Sequence, residues 1–182
     1  MLVALTRSSS PFLTTRAYIA FRLITPPTIY LLLGLLFAMV TLPFKAHFGA
    51  HYTYAGGFFL WAFTVWLGMC ALGLSLEFAI TILGTKFMGF FLVAIIIANV
   101  SVASLPHELQ PWIYRYGAAM PFHNVGQAVR TIIFDTKNEI AKNLGILLAW
   151  AVFSMCTVAL ATWLMRRKSV NEYKKAKAGG SA

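Results

Sequence analysis

Two histidines offer the nearest thing to a metal site: His47 and His51, in "KAHFGAH", stand four apart, a spacing that on a helix turns both imidazoles to one side. No carboxylate or cysteine stands near them and Gly49 lies between, so the stretch reads as a solvated connector that holds no metal. Glu77 is the first acidic residue of the chain and adjoins an apolar run, where an acid is a candidate for handling an ion or a substrate. Its structural alternative is a contact with the headgroup layer or with Lys86. Asn99 lies within another apolar run; its Asn-Val-Ser sequon is badly placed for glycosylation, but its amide could bond across helices. Asn124 and Arg130 belong to a half-polar stretch. There Arg130 could gate a path or contact a headgroup, or form an ion pair with Asp135 or Glu139. Arg130, Asn124, Glu77 and Asn99 are the candidate substrate-binding residues. Cys70 and Cys156 fall inside apolar runs and read as buried packing residues. The chain carries no phosphate-binding Gly-x-x-x-x-Gly-Lys motif and no nucleophile with a base at motif spacing, so no catalytic residues, no cofactor and no enzymatic activity are expected.

The elements that position these residues follow from composition. Of 182 residues, 59% are hydrophobic and 11% charged, against about 25% charged in soluble domains, and this defines an all-α membrane protein. Four runs predict transmembrane helices, at about 24–44, 56–76, 87–105 and 144–165. Pro26 and Pro27 suit the first turn of the first. Small residues in the second, Gly68, Ala71 and Gly73, permit close helix approach. With the N-terminus inside, ten Lys and Arg fall on the cytoplasmic side and five on the other, which predicts both termini in the cytoplasm. The net charge of +10 therefore reads as topology and contact with the lipid bilayer, with no nucleic acid as partner. Residues 1–23 form a cytoplasmic segment with a transit-peptide-like composition, 24–168 the membrane domain, and 169–182 a mobile basic tail.

Between the third and fourth runs, residues 106–143 are too polar for a span and too apolar for water. Trp112, Tyr114 and Tyr116 suit the headgroup level. From Asn124, a plausible N-cap, Val125, Val129, Ile132 and Ile133 fall on one helical face, and the polar run from Asp135 to Asn138 ends it. This predicts an amphipathic helix that dips into the membrane or lies along its outer face.

The run "YRYGAAMPFHNVGQAVRTIIFDTKN", followed by "NLGILLAWAVFSM", resembles the C-terminal signature of the fungal nitrosoguanidine-resistance membrane protein family, which is similar to the membrane domains of type 2 ABC exporters. Tyr116, Gly117, Met120, Pro121, Asn124, Arg130, Thr136, Lys137 and Asn138 carry the motif, and "GLSLEFAITILG" and "FFLVAIIIANVSVASLP" extend it upstream. The resemblance implies a permease-like bundle in which 106–143 is a re-entrant connector on the outer side. It also implies that this chain corresponds to the C-terminal membrane part alone, acting as a homo-oligomer or beside a missing N-terminal half. Export of toxic, small or lipid-like molecules is the expected function, and a non-transporting scaffold or regulator of lipid distribution is the alternative. The expected location is the plasma membrane, with the endoplasmic reticulum, vacuole or mitochondrion as alternatives.

Overall fold

The structure is a computed structural model that describes residues 15–48, 52–103 and 111–179, with side chains over 16–48, 52–103 and 111–168. Among the described residues five α-helices follow one another: α1 (Thr15–Thr41), α2 (Tyr54–Leu83), α3 (Met88–Ala103), α4 (Pro121–Phe134) and α5 (Ile140–Gly179). A 3-10 segment, Trp112–Ala119, precedes α4. No strand occurs among the described residues.

Among the described residues, three stretches are long and apolar enough to cross a bilayer: Arg16–Thr41, Tyr54–Leu83 and Ile140–Lys168. The third run of the sequence, expected over 87–105, forms a helix of 16 residues. At 1.5 Å per residue it measures about 24 Å, against about 30 Å of hydrocarbon. Residues 104–110 lie outside the described set, as does the targeting-like composition of 1–14.

Several boundaries differ from expectation. Helix α1 starts at Thr15, not at 24, so Pro26 and Pro27 sit inside it, not in its first turn. Their missing N–H groups leave the carbonyls of Arg22 and Leu23 without the usual i+4 donor. Neighbouring helices make such prolines tolerable in a membrane; beside them the Trp66 indole of α2 donates to the Pro27 carbonyl at 3.0 Å and ties the two helices together. Helix α2 continues past Glu77 to Leu83, and α5 runs through the basic cluster to Gly179 where a polar tail was expected. Lys, Ala and Glu, all good helix formers, supply six of the eleven residues 169–179.

Contacts along the helices define their directions. Arg22 meets Thr81, Tyr30 meets Gly73 and Gly34 meets Trp66, so α1 and α2 are antiparallel. By contrast Ser75 meets Ser154 and Arg22 bridges Thr81 to Thr162, while Trp61 and Ile140 share a cluster, so α2 and α5 run parallel. One end of the bundle holds Ala38, Phe48, Trp61, Ala62, Ile132 and Ile140, and the other holds Arg22, Glu77, Thr81 and Thr162. Residues 84–139 therefore carry the chain back along the length of α2.

The polarity of this fold is inverted relative to a protein in water. Phe37, Val40, Phe90, Ile97, Phe153 and Leu160 are exposed, each at 51% or more, whereas Thr64, Asn124, Thr131, Ser154 and Thr162 are buried. Buried hydroxyls are satisfied locally: Thr64 donates to the Leu60 carbonyl and Thr131 to that of Gln127. Small residues set the separations between helices. Gly68, at the midpoint of α2, lies under Val125 of α4, and a Cβ there would come within 2.7 Å of that side chain. The connector expected to be solvated at 45–53 instead buries Phe48, whose carbonyl lies against Gly57.

A Cβ on Gly57 would overlap the Phe48 carbonyl, whereas one on Gly145 meets nothing within 4 Å. Gly57→Ala should lower stability by about 1–3 kcal/mol through overpacking. Gly145→Ala should be neutral or stabilising by up to about 1 kcal/mol. Thermal unfolding of the two variants in detergent measures the contrast.

Candidate functional site

At the end of the bundle where α1 begins, the Arg22 guanidinium joins three helices. Nη2 donates to Glu77 Oε2 at 3.0 Å and to Thr81 Oγ1 at 2.8 Å, and Nη1 donates to Thr162 Oγ1 at 3.2 Å. Thr81 spends its own proton on the Glu77 carbonyl at 2.6 Å, which leaves its oxygen free to accept from Arg22. The two ionic side chains are only 9% and 18% exposed. Burying charges this deeply is tolerable only when both are paired and hydrogen-bonded, as these are. Just beyond, Arg166 lies 5.0 Å over the Tyr18 ring and Arg167 lies 4.6 Å over that of Trp163, pairings that suit the interfacial layer.

Beside this pair, α1, α2 and the start of α3 enclose an open cleft of about 160 Å³, lined by Tyr30, Gly73, Leu76, Glu77, Ile80 and Met88. Gly73 makes room for Tyr30: a Cβ at that position would fall on the phenol oxygen. The cleft and the ion pair together form the candidate site.

The four candidate residues named from sequence do not converge. Glu77 is paired with Arg22, not with Lys86 or open headgroup space, and α2 continues for six residues beyond it. Asn99 is buried and donates to the Ile95 carbonyl of its own helix at 2.9 Å; its Oδ1 has no partner among the described residues, so the expected bond across helices is not made. Asn124 is not an N-cap: Met120 caps α4, Pro121 takes the first helical position, and Asn124 Nδ2 reaches back to the carbonyls of Ala118 and Met120 at 2.9 and 2.8 Å. Arg130 is exposed and makes no ion pair among the described residues, since Glu139 is held by Lys137 and Lys142 at 2.7 and 3.1 Å.

Hydrogen bonds from those lysines, Lys137 first, hold the Glu139 carboxyl below the usual carboxylate range. A depressed carboxyl contributes stability above its ordinary pKa and loses it as the pH falls through the lowered one. Cys70 is buried, but Cys156 is exposed on α5 and faces outward, contrary to expectation. His47 is exposed, His51 lies outside the described residues, and no group of three or more metal-type ligands occurs among those described.

The motif residues instead shape the connector. Gly117 is buried, and its carbonyl accepts from the Met120 amide at 2.9 Å. The Tyr116 hydroxyl lies 3.4 Å from the Ala98 carbonyl of α3. Asp135, in the left-handed region at φ 49°, ends α4. In the turn that follows, Thr131 Oγ1 stands 3.5 Å from that of Thr136 and 3.2 Å from the Lys137 carbonyl, and Asn138 Oδ1 accepts from the Ile140 amide at 3.3 Å. Arg22, Thr81, Thr162 and Tyr30 were missed from sequence. The signal lay in Arg22 itself: extending the first helix toward the N-terminus makes it a buried cation in need of an acid.

Helices of this length with an apolar exterior make this an integral, multi-pass membrane protein in a lipid bilayer. The chain belongs to the family described as Protein of unknown function (DUF3533), which it matches over residues 1–156. It is also similar to the uncharacterized endoplasmic reticulum membrane protein YJR015W of Saccharomyces cerevisiae, with 35% identity over 120 residues, 64% of this chain and 23% of the yeast protein. The match thus spans about a quarter of that relative's length. No solved structure matches the chain.

Arg22→Ala should destabilise the protein by about 3–5 kcal/mol, because it strands Glu77 as an unpaired buried charge. The double change Arg22→Leu with Glu77→Leu should cost less than Arg22→Ala alone. Unfolding midpoints of the variants in detergent decide this.

Proposed function

We propose that this chain is a permease-like membrane domain that takes part in exporting toxic, small or lipid-like molecules, without catalysis of its own. In this reading α3 and the connector together make a fourth crossing, both termini face the cytoplasm, and α4 is a re-entrant helix of the outer side. The observation that carries it is the depth of α4. Val125 rests on Gly68 at the midpoint of α2, while Ile132 joins Phe48 and Trp61 at the bundle end. Seven residues separate Gly68 from Trp61, about 10 Å of helix, so α4 slants from mid-membrane depth toward one face. The parallel course of α2 and α5 supports the fourth crossing, because the chain between them has to return along the bundle. Resemblance of the motif to nitrosoguanidine-resistance proteins and type 2 exporter membrane domains supports the export reading. The proposed membrane is that of the endoplasmic reticulum, the compartment in the yeast relative's name, in preference to the plasma membrane. Action within an oligomer is part of the proposal.

Topology is tested by single cysteines at Lys86 and Asp135 in a chain freed of Cys70 and Cys156. Impermeant reagent should reach Lys86→Cys from the cytoplasmic side and Asp135→Cys from the opposite side; labelling of both from one side sinks the four-crossing reading. Function is tested by toxicant efflux from cells with and without the gene, with a parallel sample whose energy source is collapsed. Energy-dependent efflux should fall on deletion. Unchanged efflux with altered lipid exposure would replace export by a scaffold or regulator of lipid distribution.

A further inference from the structure

We infer that the cleft beside the Arg22–Glu77 pair binds the protonated amine of an amphiphile, with its N–H groups donating to Glu77 and Tyr30. As a substrate site it rests on the export reading, but binding itself does not.

The chemistry of the wall selects the ligand. Of the six lining residues, Gly73, Leu76, Ile80 and Met88 offer no hydrogen-bonding side chain except a thioether, so the Glu77 carboxylate and the Tyr30 hydroxyl are the polar groups available. Arg22 is not among the lining residues; its bonds turn it toward Glu77, Thr81 and Thr162. An anion would therefore meet the carboxylate before it met the guanidinium. Glu77 Oε2 accepts from Arg22, which leaves the second carboxylate oxygen, Oε1, with lone pairs for a further donor, and the residue lines the cleft. That oxygen can accept a charge-assisted bond from an ammonium without breaking the ion pair. Tyr30 stands over Gly73, one helical turn before Glu77, so both oxygens face the same space.

Size and position agree with this choice. A volume of about 160 Å³ takes an ammonium and its first methylenes and excludes a bulky head. Glu77 lies six residues from the end of α2, about 9 Å of helix, which brings the site near headgroup level. Phe87, the residue before Met88, is exposed at 58% and offers apolar surface for a chain.

The test uses the purified full chain in detergent with three radiolabelled probes of equal chain length: hexadecylamine, hexadecanol and hexadecyltrimethylammonium. The primary amine should bind saturably and at least about ten-fold more tightly than the alcohol, which lacks charge, or the quaternary ion, which lacks an N–H. Glu77→Gln and Gly73→Ala, which displaces the Tyr30 ring, should each weaken amine binding about ten-fold. Should either fail to fold, Tyr30→Phe keeps the ring and removes one acceptor, and should weaken it by a smaller factor. Equal binding of the three probes, or amine binding untouched by Tyr30→Phe and by whichever other variants fold, overturns the proposal. Competition with phosphatidylethanolamine then identifies the source of the ammonium: displacement assigns the site to a lipid headgroup, and its failure to a single-chain amine, each in keeping with the inference.

Discussion

A cation held mostly out of water has to find its partners inside the protein, and the Arg22 guanidinium donates to two other helices. Glu77 and Thr81 belong to α2 and Thr162 to α5, so one guanidinium sets the relative height of three helices at one end of the bundle. The rest of the packing is in register with it. Tyr30 comes to lie over Gly73, Gly34 faces Trp66, and the Trp66 indole finds the Pro27 carbonyl. Slipping α1 by one turn would break every one of these together and leave a buried charge exposed to hydrocarbon, where its desolvation would go unmatched. Packing forces alone discriminate poorly between such registers in a membrane, because lipid tails are as apolar as the side chains they replace.

The opposite end is specified by shape more than by charge. Phe48 is fully buried there among Ala38, Trp61, Ala62, Ile132 and Ile140, with its ring edge-on to Tyr54 and Phe58. Gly57 lets the Phe48 backbone approach α2, and Gly68 lets α4 do so at greater depth. Asn124 adds a polar fastening: one buried amide spans two carbonyls at the junction of the 3-10 segment and α4, which fixes the angle at which α4 enters the bundle. Trp150 of α5 donates to the neighbouring Ala119 carbonyl at 2.6 Å and holds the same junction from the other side.

The apolar runs revealed most of the helical content, because hydrocarbon permits few alternatives to a helix. What they concealed were the helix ends. Arg22 and Glu77 looked like boundaries, since a charge ordinarily stops an apolar run, yet each lies inside a helix and neutralises the other. Composition records charges singly, whereas burial depends on pairs, and a pair separated by 55 positions has no local signature. The same limit hid the role of Asn124, which looks like a cap until Pro121 is recognised as the first helical residue. The amphipathic face of α4 was readable only in part. Ile132 is inward and Arg130 outward, but the buried face also carries Asn124, Ala128 and Thr131, while Val125, Val129 and Ile133 are half-buried. The neighbours α2 and α5 accept small and polar side chains that periodicity alone assigns to the other face.

Helix α5 continues without a break from the membrane to Gly179, well past Thr162, the point where Arg22 grips it. The 17 residues between them make a rod of about 25 Å. A rod pivoting at Thr162 works as a lever: a tilt of about 10° at the grip would sweep its free end through about 4 Å, by the same helical rise. A rearrangement around the ion pair that tilted α5 would thereby reach Gly179 as a displacement comparable to the diameter of a small side chain.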